Sequence, residues 1–78
     1  MSNPENEEIP IRDDMIRLGQ LLKLAGLVED GVEAAELIRN GLVKVNGEID
    51  DRRGRQLRDG DTVTVGGRTV RISTPAGS

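Results

Sequence analysis

At Gly41 the hydrophobic period of this chain changes. Before it, apolar residues recur every three or four positions; after it, they alternate with polar ones. A period near 3.6 lines side chains along one stripe of a helix, and a period of 2 lines them on one face of a strand. The pattern therefore predicts helices first and a sheet second, an α+β chain with its two kinds of element segregated along the sequence.

In the helical half, Met15, Leu18, Leu22 and Ala25 fall at i, i+3, i+7 and i+10, with Leu21 beside them, which predicts a helix over 15–25. Asp13 or Asp14 can cap its start, and Gly26 stands where a left-handed stop is expected. A second helix is predicted from about Gly31 to Asn40. Asp30 followed by Glu33 is a capping-box-like pair, Val32, Ala35, Leu37 and Ile38 supply the buried side, and Gly41 ends the helix. Leu42 to Val45 then reads as a short strand. Asn46-Gly47 is a strong hairpin signal, because both residues tolerate positive φ. Glu48 to Leu57 reads as an irregular return, Asp59-Gly60 and Gly66-Gly67 as turns, and Thr62–Val65 and Arg68–Ser73 as alternating strands. Ile9-Pro10-Ile11 can add a short edge strand, where proline does the least harm. The expected fold is two N-terminal helices packed on a small twisted antiparallel sheet. It occupies residues 9–73 as one domain, between flexible tails at 1–8 and 74–78.

Composition then narrows the function. The chain has no Phe, Tyr or Trp, so its core must be aliphatic and no base can stack on an aromatic ring; only arginine planes could substitute. It has no Cys and no His, which removes thiolate chemistry, disulfides, the commonest general base and the commonest zinc ligand. No enzyme activity, cofactor, metal or small-molecule substrate is expected. No apolar run approaches the roughly 20 residues that span a bilayer, and Met1–Glu8 lacks the features of a signal peptide. The expected setting is the cytoplasm, away from membranes.

Charge is unevenly placed. Residues 1–36 carry three basic and nine acidic side chains, whereas residues 37–78 carry eight basic and five acidic. Six of the eleven basic residues lie between Arg39 and Arg58: Arg39, Lys44, Arg52, Arg53, Arg55 and Arg58. A basic cluster that persists in an acidic chain is a candidate phosphate-binding surface. The three guanidiniums of Arg52-Arg53-x-Arg55 can fork onto phosphate oxygens, or they can form a solvated loop balanced by Asp50 and Asp51. Lys44, between Val43 and Val45, faces away from the core. Lys23 and Arg39 stand near helix C-termini, where the dipole favours a cation in any case. Arg17 can pair with Asp13 or Asp14 or serve the surface. Arg68 and Arg71 read as solubilising residues of the last hairpin, and Asn46-Gly47 as turn chemistry rather than base recognition.

The segment from Arg17 to Val65 resembles the RNA-binding domain named after ribosomal small-subunit protein four, built on the alpha-L motif. Its signals are Arg17-Leu18, the run from Ala34 to Gly41, Val43-Lys-Val-Asn-Gly47 and Gly60-Asp-x-Val-x-Val65. The strings LLKLAGL and RRGRQL resemble the free-standing bacterial YbcJ/YaaA-like subgroup. The resemblance covers about residues 9–72. It implies docking on structured RNA such as ribosomal RNA or tRNA through helix two and the turns after it, with Lys23, Lys44, Arg52, Arg53 and Arg55 at basic positions of the subgroup. Where many members are basic near the start of helix two, this chain has Glu29-Asp-Gly-Val-Glu33. That acidic half keeps a second function class open, a protein-interaction adaptor of the same fold without an RNA role. A third, the ubiquitin-like sulfur carrier, shares the Val-Asn-Gly hairpin and Gly-Asp turn but requires a C-terminal Gly-Gly, and this chain ends Pro75-Ala-Gly-Ser78.

Overall fold

A computed structural model describes residues 6–74. In chain order the elements are β1 (Asn6–Pro10), β2 (Met15–Arg17), α1 (Leu18–Leu24), α2 (Gly31–Arg39), β3 (Val43–Val45), β4 (Glu48–Ile49), β5 (Gln56–Arg58), β6 (Thr62–Val65) and β7 (Arg68–Ser73). Five strands form one sheet in the order β1-β7-β6-β3-β4, and β2 pairs with β5 as a separate antiparallel ribbon. The α+β expectation holds, with helices α1 and α2 packed against each other before the main run of strands.

Alternation decides which side of the sheet meets the helices. Val43, Val45, Val63, Val70 and Ile72 point inward and are buried, while Lys44, Thr64 and Thr69 share the outer face. The inner residues meet Leu18, Leu21 and Leu22 of α1, Ala34 and Ile38 of α2, and Leu57 of the ribbon in one aliphatic core. Each Val, Leu or Ile among them contributes on the order of 1.5–3 kcal/mol when fully buried. Asn46 and Gly47 both adopt positive φ, 54° and 86°, as the hairpin between β3 and β4 requires. The Asn46 side chain adds a clamp: its Oδ1 accepts from the Thr62 amide at 3.0 Å and its Nδ2 donates to Asp61 Oδ1 at 3.1 Å.

Three expectations need correction. Residues 15–17 are not helical: Met15, Ile16 and Arg17 pair with Arg58, Leu57 and Gln56, and α1 begins only at Leu18. The ribbon claims these residues because Ile16 lies opposite the fully buried Leu57. The segment 48–57 is not wholly irregular, since β4 and the start of β5 lie in it. On α2 the buried face is Ala34 and Ile38, with Ala35 and Leu37 half-buried, and Val32 is 71% exposed instead of buried. The sheet is mostly antiparallel as expected, and the N-terminal edge strand β1 joins it parallel to β7. That edge strand starts at Asn6, ahead of the expected domain start; residues 1–5 and 75–78 of the expected tails lie outside the described residues. Among the described residues, no helix is long and apolar enough to cross a membrane, and no group of three or more acidic, His or Cys side chains is placed to hold a metal.

Candidate nucleic-acid interface

The segment 50–55 is shaped by one carboxylate. Asp50 is only 7% exposed and follows β4, where its amide donates to the Val43 carbonyl at 3.1 Å. Its Oδ1 accepts from the Arg52 amide at 2.9 Å and from Arg52 Nε at 3.1 Å. Its Oδ2 accepts from an Arg52 terminal nitrogen at 3.0 Å and from Arg55 Nη1 at 2.9 Å. All four bonds come from charged or backbone donors, so a carboxylate that burial alone would disfavour stays ionised. The Arg52 side-chain hydrogen bond holds the Asp50 carboxyl below its ordinary range, against the upward push of desolvation. The same bond raises Arg52 above its own ordinary value.

With Asp50 holding Arg52 and Arg55, the chain turns tightly: the Arg55 amide donates to the Arg52 carbonyl at 3.1 Å, leaving Arg53-Gly54 at the tip. The tip docks on the start of α1. That helix has Arg17 in extended backbone at its N-cap and no side-chain cap. Its first orphan donors are satisfied by the loop instead, Leu18 N–H by the Arg55 carbonyl at 2.8 Å and Gly19 N–H by the Arg53 carbonyl at 3.1 Å.

This docking builds an open cleft of about 590 Å³, lined by Arg17, Gly19, Gln20, Lys23, Arg53, Gly54 and Gln56. Arg17 and Gln56 are opposite each other on the ribbon, so they share its outer face, and the same face continues through Met15 and Arg58. Gln20 and Lys23 stand one turn apart on α1. Gly54 and Gln56 also line the neighbouring hollow with Arg52 and Arg55, which makes the basic surface continuous across the loop. Among the described residues no carboxylate forms an ion pair with Arg17, Lys23 or Arg53.

The candidate residues are thus divided. Lys23 and Arg53 line the cleft, Arg58 extends its ribbon face, and Arg52 and Arg55 flank it while bound to Asp50. Arg39, in the last turn of α2, and Lys44, on the outer face of the five-stranded sheet, do not line it. Arg17 makes no pair with Asp13 or Asp14 and belongs to the cleft instead, and Gln20 and Gln56 were not singled out from sequence. Their signal was available only through pairing: β5 places Gln56 opposite Arg17. Arg68 is not merely solubilising, since it pairs with Glu7 of β1.

Residues 9–73 match the S4 domain. The chain belongs to the S4 domain family. Within it, the chain is 45% identical over 67 residues to RlbA of Bacillus subtilis strain 168, a protein named for ribosome maturation, covering 86% of this chain and 89% of that one. It is 37% identical over 57 residues to YbcJ of Escherichia coli K12, a protein named for RNA binding, covering 73% of this chain and 81% of YbcJ. The solution structure of E. coli YbcJ, described as revealing an alpha-L motif involved in RNA binding, superposes with a TM-score of 0.65 at 33% identity, over 94% of this chain and 91% of YbcJ. The S4 arrangement of two helices ahead of a mostly antiparallel sheet is therefore shared with a solved relative.

Proposed function

We propose that this S4 domain is a non-enzymatic RNA-binding protein of the cytoplasm that docks on structured RNA, ribosomal RNA or tRNA being the leading classes. The observation that carries this reading is the cleft in which Arg17, Lys23 and Arg53 converge without carboxylate partners among the described residues. Arginine presents a planar fork that suits phosphate oxygens, and lysine adds a point charge. Gln20 and Gln56, on the same walls, can both donate and accept, as recognition of a 2′-hydroxyl or a base edge requires. With few base-reading groups and no aromatic platform, shape dominates over sequence. The names of YbcJ and RlbA point the same way.

The test is a titration against labelled ribosomal-RNA and tRNA fragments across a salt series. Neutralising four to five phosphates gives a log–log slope of about −3 to −5 on duplex-like sites. Absence of binding at low salt would remove this reading. It would favour the second one, a protein adaptor, for which the exposed Val32 among the exposed Glu29, Asp30, Glu33 and Glu36 is the specific observation.

A further inference from the structure

Gly19 is the second residue of the short helix α1, where glycine is less favourable than alanine by up to about 1 kcal/mol. Its φ is not in the left-handed region, so backbone conformation does not require it. What requires it is Arg53. A Cβ built on Gly19 would stand 3.0 Å from Arg53 Cγ, 3.6 Å from its Cδ and 3.8 Å from its carbonyl oxygen. The methylene stem of Arg53 therefore crosses the helix at the one residue without a side chain. The same residue's N–H holds the Arg53 carbonyl at 3.1 Å, so the loop backbone cannot simply lift away. Cγ is the first freely placed atom of the side chain. Moving it means changing χ1, and χ1 sets where the guanidinium points.

We infer that Gly19 is a positioning residue for RNA recognition: it forms the cradle that fixes the Arg53 stem and so holds its guanidinium at the cleft that Arg17 and Lys23 also line. The inference rests on the RNA-binding reading and adds a specificity element to it. Arg52 and Arg55 are oriented by ion pairs with Asp50. Arg53 has no such partner among the described residues and is oriented by shape. Orientation by shape leaves its five donors free for a ligand, whereas an aspartate would occupy some of them.

The experiment is a double-mutant cycle of Gly19→Ala and Arg53→Ala, read by affinity for a labelled ribosomal-RNA stem-loop and by urea midpoint. Gly19→Ala is expected to weaken RNA binding about tenfold, the size of one charge-assisted contact, and to flatten the salt slope by about 0.9. The double variant should bind no more weakly than Arg53→Ala alone. In stability the signs separate from affinity: Gly19→Ala should raise the urea midpoint more in the Arg53→Ala background than in the wild-type background, because the crowding is gone and helix propensity remains. That second readout holds even if Gly19→Ala alone is poorly folded. Equal midpoint increments in both backgrounds, or wild-type affinity of Gly19→Ala while Arg53→Ala binds weakly, would overturn the cradle and leave the RNA reading standing. Wild-type affinity of Arg53→Ala would likewise overturn the cradle while RNA binding stands, whereas no RNA binding by the wild-type chain at low salt would overturn both.

Discussion

The turn at 52–55 has two sides with opposite electrostatic economies. On one, Arg52 and Arg55 converge on the buried Asp50, with side chains 66% and 33% exposed. On the other, the Arg53 stem lies over Gly19, and Arg53 lines one cleft with Arg17 and Lys23, with no carboxylate among its lining residues. Three arginines that look equivalent in the string Arg52-Arg53-Gly-Arg55 thus do two kinds of work. The outer pair puts three side-chain hydrogen bonds into Asp50 and makes the loop rigid, and the middle one keeps all its donors for a partner. With Asp50, Asp51 and Glu48 beside Arg52 and Arg55, the structural side carries no excess of positive charge, and the field offered to a polyanion comes from the other side. A rigid loop also loses less conformational entropy on binding than a flexible one.

If that division is right, the largest effect on affinity comes from the unpaired side. Replacing Arg17, Lys23 and Arg53 together by Ala should weaken RNA binding by on the order of a hundredfold or more, as loss of several charge-assisted contacts implies. The urea midpoint should move little, because none of the three side chains is buried and none is ion-paired among the described residues. A matching loss from Arg52→Ala with Arg55→Ala, at unchanged stability, would erase the distinction between the two sides.

The paired side should answer in stability first. In Asp50→Asn the amide nitrogen would meet guanidinium donors where Oδ2 now accepts two bonds. The expected cost is about 1–2 kcal/mol, the lower part of the range for bonds to charged groups because the arginine side is solvent-screened. For a domain of this size each kcal/mol corresponds to about 4–8 °C in Tm. Calorimetry showing an unchanged Tm would mean that Asp50 organises nothing.

Acid should act through the same carboxylate. The native pKa of Asp50 is depressed, chiefly by the hydrogen bond from Arg52, so the native state binds a proton less readily than the unfolded chain. The stabilisation is therefore fully present above the unfolded value of about 3.9 and fades as pH falls through the lower native value. Urea midpoints compared at pH 5 and pH 3 should fall further for wild type than for Asp50→Asn. Parallel acid limbs would show that other carboxylates carry the whole dependence.

The periodicity switch at Gly41 and the Asn46-Gly47 turn made the order of helices, hairpins and strands legible, because those signals are local. The start of α1 was not. Met15 continues the helical stripe of Leu18 and Leu22, but its backbone pairs with Arg58, some forty residues away, and the helix is capped by carbonyls from Arg53 and Arg55. No window around Asp13 or Asp14 contains that information. The same limit applied to the site. The charge count located the arginine loop, and Asp50 and Asp51 were visible as balancing neighbours, but only the fold shows that Asp50 takes Arg52 and Arg55 and leaves Arg53. Arg17 joined the cleft for the reason that it left the helix: it stands on the ribbon opposite Gln56.

The smallest expected effect belongs to Lys44, which sequence position and the family resemblance grouped with the arginine loop. Lys44 lies opposite Thr64 on β6 and Ile49 on β4, on the outer face of the five-stranded sheet, whereas the cleft is bounded by α1, the ribbon and the 53–54 tip. A lysine that acts only through the general field of the surface is screened within about 8 Å at physiological ionic strength. Lys44→Ala should then lower RNA affinity no more than about twofold and leave the salt slope unchanged, short of the roughly 0.9 that one phosphate contact carries. A drop of tenfold or more, with a slope flattened by a full unit, would mean that RNA also contacts the outer sheet face. The interface would then wrap around the β3–β4 hairpin, and Asp50, at the foot of that hairpin, would join its two halves.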